Sequence, residues 1–286
     1  MKLYKYCPLG RGADKDNKRL NSLRNNKIWL STFGDLNDPF EAHALYLDVS
    51  TVSRVTGAPK ERIDLLQQWC IDHLAEKYII YSLSENHFDS MPMWAHYANN
   101  HQGFCVEYEV SLDADESEAL FSIGKVTYSG SRKSLVPFMR KLLPMYEKMG
   151  PDGELPEDFD SLKDEFDRLT DENYFTKHIS WAYEREWRLL YTAVEHGEYP
   201  DGDPEQIDAN LIEIESKIRQ LQLDKGKLVD VSVVGMSVSQ ICVGLNCSDE
   251  NAALLNQISQ SLGRGNAYRV QGRDNTDSYT LEITRM

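Results

Sequence analysis

The sequence predicts a single α+β domain, and three observations carry that reading. Runs with helical apolar spacing and runs rich in β-formers both occur along its 286 residues. No internal repeat is visible. No clear linker divides the chain, so one elaborated domain follows.

The elements can be justified in order. Residues 3–6 read as a short strand, and the polar stretch 16–26 as a solvated helix or loop before a second strand at 28–31. In Leu36-Asn37-Asp38-Pro39-Phe40-Glu41 the proline pushes Asp38 out of the helical region, which fixes a bend with a carboxylate at each end. Residues 60–77 place Ile63, Leu66, Trp69, Cys70 and Leu74 at helical spacing and feed a buried strand at 78–84. Ser90 can cap a helix with Met93, Trp94, Tyr97 and Ala98 along one side, which residues 99–103 end. Phe104, Val106, Tyr108 and Val110 alternate with Cys105, Glu107 and Glu109, the pattern of a half-buried strand.

Beyond residue 111 the chain reads as an acidic loop, a strand around 123–128 and a basic-apolar helix near 132–148. Residues 152–172 carry ten acidic and two basic groups, and 129–177 reads as a helical insertion or cover. Residues 181–191 are predicted as a strand with Trp181, Tyr183, Arg185, Trp187, Leu189 and Tyr191 on one face. Glu184, Glu186 and Arg188 share the other. A capping-box-like Asp203-Pro204-Glu205-Gln206 opens an amphipathic packing helix over 203–223. Strands at 228–234, 241–245, 268–271 and 279–283 and a helix at 249–262 complete the chain.

Composition excludes several classes. Hydrophobic residues make up 41% and aromatics 10%, against 17 Gly and 10 Pro, so disordered and collagen-like chains are out. With 31 basic and 46 acidic residues the net charge is -15, which repels phosphate backbones and argues against general nucleic-acid binding. No apolar run approaches the roughly 18 residues of a spanning helix, and the first residues lack a signal peptide's apolar core. A cytoplasmic protein without membrane partners is expected. Its five cysteines, Cys7, Cys70, Cys105, Cys242 and Cys247, read as reduced thiols. Oligomeric state is left open.

The sequence has no G-x-G-x-x-G, P-loop, H-E-x-x-H or G-x-S-x-G. Glu184 and Glu186, roughly 7 Å apart on one strand face, could bind hydroxyls and activate an acceptor if a cation such as Arg188 or Lys5 keeps them ionised. The same spacing fits a surface ladder with Arg188. His96, between Trp94 and Tyr97, could be a base or a structural anchor. Asn37, Asp38 and Glu41 could form a ribose or metal site, or only a turn. No metal is predicted at that cluster.

Together these residues resemble a widespread prokaryotic family, domain of unknown function 2971. The resemblance rests on Tyr4-Lys5-Tyr6, the Asn37-Asp38-Pro39-Phe40-Glu41 bend, Ser82-Leu83-Ser84, Met93-Trp94-Ala95-His96-Tyr97-Ala98 and Tyr183-Glu184-x-Glu186-Trp187-Arg188. More distantly, Lys5, Ser82-x-Ser84 and Glu184-x-Glu186 resemble, in that order, the basic residue, Ser-x-Ser strand and Glu-x-Glu of the ADP-ribosyltransferase superfamily, with lysine in place of arginine. That resemblance implies a mixed, mainly antiparallel β core flanked by helices, and NAD as substrate. It also implies that Glu186 holds the nicotinamide ribose and steadies an oxocarbenium-like transition state, while Glu184 orients or deprotonates the acceptor. Ser82 and Ser84 would brace the site, Lys5 would meet a phosphate, Arg188 would keep the carboxylates ionised and Tyr97 would stack on nicotinamide.

The reading is therefore an enzyme of toxin or defence-effector type acting on an unknown macromolecular acceptor. A non-catalytic binding or regulatory domain, and a nucleotide or phosphoester hydrolase using Asp38, Glu41 and His96, stand as alternatives. The first requires Glu186, Ser82 and Lys5 to converge on one cleft. The second leaves the glutamates outward and paired, and the third brings Asp38, Glu41 and His96 together.

Overall fold

Two-residue alternation recurs along the chain's apolar segments, and the strands it produces assemble mainly into one eight-stranded sheet. The computed structural model describes residues 1–10, 17–41, 43–61, 63–64, 78–111, 121–148, 159–192, 226–272 and 280–286. The helix expected over 203–223 and most of the one expected over 60–77, with Cys70, lie outside the described residues.

The strands are β1 (Lys2–Cys7), β2 (Lys27–Leu30), β3 (Leu45–Tyr46), β4 (Tyr78–Ser84), β5 (Phe104–Val110), β6 (Phe121–Lys125) and β7 (Thr127–Ser129). They continue with β8 (Lys133–Ser134), β9 (Thr176–His178), β10 (Glu186–Thr192), β11 (Lys227–Asp230), β12 (Met236–Val243), β13 (Tyr268–Gly272) and β14 (Leu281–Arg285). Helices α1 (Lys18–Arg24), α2 (Val49–Thr56), α3 (Met91–Tyr97), α4 (Val136–Lys148), α5 (Phe159–Tyr174) and α6 (Asp249–Ser261) flank them. The main sheet runs β14-β13-β12-β5-β1-β4-β10-β6, with β12 and β13 parallel and every other neighbour pair antiparallel. The architecture is α+β with a mixed, mainly antiparallel sheet.

Each sheet face buries a different set of side chains. Leu3, Tyr81, Leu83, Val106, Tyr108 and Leu189 pack beneath α1 and α6 through Leu20, Leu23, Leu255 and Ile258. On the other face Tyr4, Tyr6, Cys105 and Cys242 meet Met93, Trp94 and Ala98 of α3. Phe138, Met139, Leu162 and Leu169 of α4 and α5 form a satellite core with Val52 of α2. The expected cover over 129–177 thus holds two packed helices, and it also contributes β8 and β9.

Tertiary contacts override several local expectations. Strand 181–191 begins only at Glu186, because Ile179–Glu184 is a 3-10 turn ended by Arg185 at φ 47°. Hydrogen bonds from the end of β4 and the residues just after it hold that turn: Ser84 Oγ donates to the Glu184 carbonyl at 2.5 Å, and Asn86 Nδ2 donates to the Tyr183 carbonyl at 2.7 Å. Strand 123–128 breaks at Val126: its N–H still donates to the Glu186 carbonyl of β10, but the Thr127 N–H turns away to the Phe175 carbonyl at 2.8 Å. Strand 228–234 stops at Asp230, whose Oδ1 accepts from Ser232 N at 3.0 Å and Oγ at 2.7 Å, and β12 starts earlier than expected, at Met236. Strand β5 is buried on both faces rather than half-buried, since Cys105 and Glu107 are covered as fully as Val106. Ser90 stands at the N-cap of α3 but its side chain makes no capping bond, and proline fills the first turn, where no N–H partner is needed.

The loop after α3 is sharply specified. Asn99, Asn100 and His101 are all left-handed, at φ 49°, 53° and 66°, and Gly103 N donates to the Ala98 carbonyl at 2.8 Å. A Cβ on Gly103 would lie 2.0 Å from the Cys7 carbonyl oxygen, so this position requires glycine for close backbone approach. Gly103→Ala is expected to cost about 3 kcal/mol in urea unfolding, and a cost indistinguishable from zero would refute this packing account.

Candidate functional site

Strand β1 meets β4 through one register pair, Tyr4↔Ser84, and the two then part. Further along, β4 pairs instead with Ser31, through reciprocal Ser31–Ile80 backbone bonds of 2.8 Å. The gap becomes a cavity of about 120 Å³ lined by Lys5, Tyr6, Ser82, Tyr97, Glu184 and Glu186 among others. Alternation puts Lys5 with Leu3 and Cys7 on the face opposite Tyr4 and Tyr6, yet the split lets it line the same cavity. Its Nζ donates to the Ser82 carbonyl at 2.7 Å and lies 4.5 Å from the centre of the Tyr81 ring. Burial lowers the Lys5 pKa below the ordinary lysine value.

Beside the cavity lies a buried charge cluster. Lys177 of β9 donates to Glu184 Oε2 at 2.7 Å and to Glu186 Oε2 at 3.0 Å, and sits 3.8 Å from Glu41 Oε2. Arg188 donates through Nε to Glu186 Oε1 at 3.0 Å, and through its other nitrogens to Glu41 and the Tyr174 carbonyl. Glu41, Glu184 and Glu186 are each 5% exposed or less and Arg188 is 0% exposed. The glutamate doublet is thus turned into the protein, not displayed as a surface ladder. Three carboxylates share two cations, a geometry that keeps some of them ionised and strains others.

The environments push the doublet apart. Burial by itself would raise Glu186, but Arg188, Lys177 and hydrogen bonds from Arg188 and Ser82 outweigh it and hold the carboxyl at about 2. For Glu184, burial prevails over Lys177 and Tyr97 and raises the pKa. Burial also raises Glu41, against the pull of Arg188. Two neighbouring carboxyls with opposed shifts can divide acid–base and electrostatic roles.

The remaining predicted residues divide between cavity and scaffold. Tyr97 Oη donates to Glu184 Oε1 and accepts from Asn37 Nδ2 at 3.1 Å, so both aim Glu184. Ser84 braces the 3-10 turn through its hydroxyl, while Arg188 lies beneath the cavity without lining it. Trp94 is fully buried, with Nε1 donating to the Phe88 carbonyl at 2.7 Å. His96 is exposed, packs against Tyr183 at 5.7 Å between ring centres and lines neither this cavity nor the larger one beside Asp38. Asp38 makes the expected turn, its Oδ1 accepting from Phe40 N at 2.9 Å. Among the described residues no group of three His, Cys, Asp or Glu side chains could hold a metal ion, and no helix is long and apolar enough to cross a membrane.

Sequence reasoning missed Lys177 and Tyr128. Lys177 pairs in register with Tyr128 across β7 and β9, and the Tyr128 oxygen accepts from the Glu186 N–H at 2.8 Å. The only local sign is the alternation in Thr176-Lys177-His178, whose middle side chain is buried while its neighbours are not.

A raised carboxyl pKa has a definite consequence for stability. Glu184 holds its proton more tightly folded than unfolded, where its pKa is about 4.3. Its stabilising contribution is complete below that value and fades as pH rises through the folded pKa. Glu184→Gln should therefore lose less melting temperature than the native chain as pH rises from about 4.3. Parallel melting profiles would contradict the raised pKa.

Comparison with known proteins adds one match. Residues 93–189 fit a family model described as protein of unknown function (DUF2971), whereas no curated protein and no solved structure matches the chain. The matched stretch runs from α3 into β10 and contains Tyr97, Lys177, Glu184, Glu186 and Arg188; Lys5, Glu41 and Ser82 precede it. Through residues 93–189, this chain is similar to the DUF2971 family.

Proposed function

We propose that the chain is an ADP-ribosyltransferase-like enzyme that cleaves the nicotinamide glycosidic bond of NAD and transfers the ADP-ribosyl group to a macromolecular acceptor. The observation that carries this reading is convergence: Lys5, Ser82, Glu184 and Glu186, from three separate strands and the turn before the last, line one cavity. A volume of about 120 Å³ suits a nicotinamide or ribose unit, and the rest of the dinucleotide would lie along the surface outside. The chemistry needs a fixed negative charge beside the ribose. When the C1′–N bond breaks, its electron pair leaves with nicotinamide and positive charge develops on the ribose.

Glu186, held ionised by its neighbours, stabilises that charge in a site where little rearrangement is required. The Lys177 ammonium between Glu184 and Glu186 marks where the cluster already balances a unit positive charge. Glu184, whose pKa burial raises, removes the acceptor's proton as the new bond to C1′ forms. Tyr97 and Asn37 keep that carboxyl aimed.

NAD should raise the melting temperature in a saturable manner, since binding to the folded state stabilises it. With an acceptor mixture the native chain should release nicotinamide, measured chromatographically. Glu186→Gln should lower that release by about a hundredfold or more. Equal release by a folded Glu186→Gln protein would remove Glu186 from the mechanism.

A further inference from the structure

A second cavity lies on the other side of Glu41, with a volume of about 580 Å³, within the range that encloses a whole small molecule. Its walls are largely apolar, from Phe33, Leu45, Phe138, Met139, Phe166 and Leu169. Two carboxylates join that lining. Asp38 and Glu41 are each 5% exposed, and among the described residues Asp38 Oδ2 and Glu41 Oε2 make no hydrogen bond. A buried carboxylate oxygen without a donor is costly, so a ligand that supplies one gains accordingly.

Arg132 and His43, also at the cavity, are partly engaged. Arg132 donates through Nε and Nη2 to the His43 and Leu45 carbonyls, at 2.6 Å each. His43 Nδ1 faces the Glu41 carbonyl at 2.6 Å. Arg188 takes the far oxygen of Glu41, and Lys177 remains 3.8 Å from Oε2. The cavity therefore offers an apolar body with two carboxylate oxygens that lack a donor.

We propose that this cavity binds a small organic amine, with an aromatic or branched aliphatic body against Phe138 and Met139 and a protonated nitrogen donating to Asp38 and Glu41. An ammonium carries three donors and no acceptor, which matches two unmet oxygens. A bare divalent ion would want six or more oxygen ligands, and an anion would meet two carboxylates. The site is independent of NAD cleavage: amine binding does not require the glycosidic chemistry to occur.

Calorimetric titration with phenethylamine, phenylpropanol and phenylpropionate tests this on the full chain. The amine should bind saturably, the alcohol about tenfold more weakly and the acid not at all. Asp38→Asn should weaken the amine about tenfold and leave the alcohol within about twofold. Methyl-labelled Met139, followed by NMR in the native chain, should shift on amine addition, which keeps the test valid if the variant does not fold. No saturable amine binding, acid binding equal to the amine, a folded Asp38→Asn protein with unchanged amine affinity, or an unmoved Met139 signal would each overturn the proposal.

Discussion

A carboxylate stays ionised beneath a protein surface only when cations and donors surround it, and Glu186 draws these from three parts of the chain. Arg188 reaches it along its own strand, Lys177 from β9 and the Ser82 hydroxyl from β4. The same cations hold Glu41 and Glu184, so one electrostatic knot ties together the bend at residues 37–41, the 3-10 turn and two β-pairings. Removing one cation would leave buried negative charge without compensation, a defect that commonly costs several kcal/mol. Polar specificity here depends on a complete network rather than on any single pair.

The sheet gives this knot an opening. Most neighbouring strands pair over several residues, but β1 and β4 share one register pair. A continuous ladder would have brought Tyr6 and Lys5 up against β4 and filled the space. The split also explains why a lysine from the opposite face reaches the cavity: its long apolar stem crosses the gap and its ammonium finds a carbonyl that no strand neighbour has taken.

Local pattern made much of this legible. Alternation in 104–110 located a central strand, and from Glu186 onward the two faces of β10 are those the sequence predicted. The doublet was identifiable as charged groups alternating with apolar ones, and the two serines entered through the resemblance to the ADP-ribosyltransferase Ser-x-Ser strand. What escaped depends on distant partners. The 3-10 turn at 179–184 has strand-like alternation, but bonds from Ser84 and Asn86 capture its carbonyls. Lys177 lies beside an acidic, solvated-looking stretch, and nothing within that stretch announces that three glutamates from elsewhere will enclose it. Burial of charge is a property of the assembled fold, invisible to periodicity.

Glu41 forms part of the wall of both cavities, with one oxygen bound to Arg188 and the other, 3.8 Å from Lys177, accepting no hydrogen bond. A single titratable side chain is thus a shared partition. Any guest that changes its charge or orientation from one chamber alters the field felt in the other, and thermodynamic reciprocity makes that influence equal in both directions. The two hollows therefore share one carboxylate wall, so a guest in either meets the same side chain.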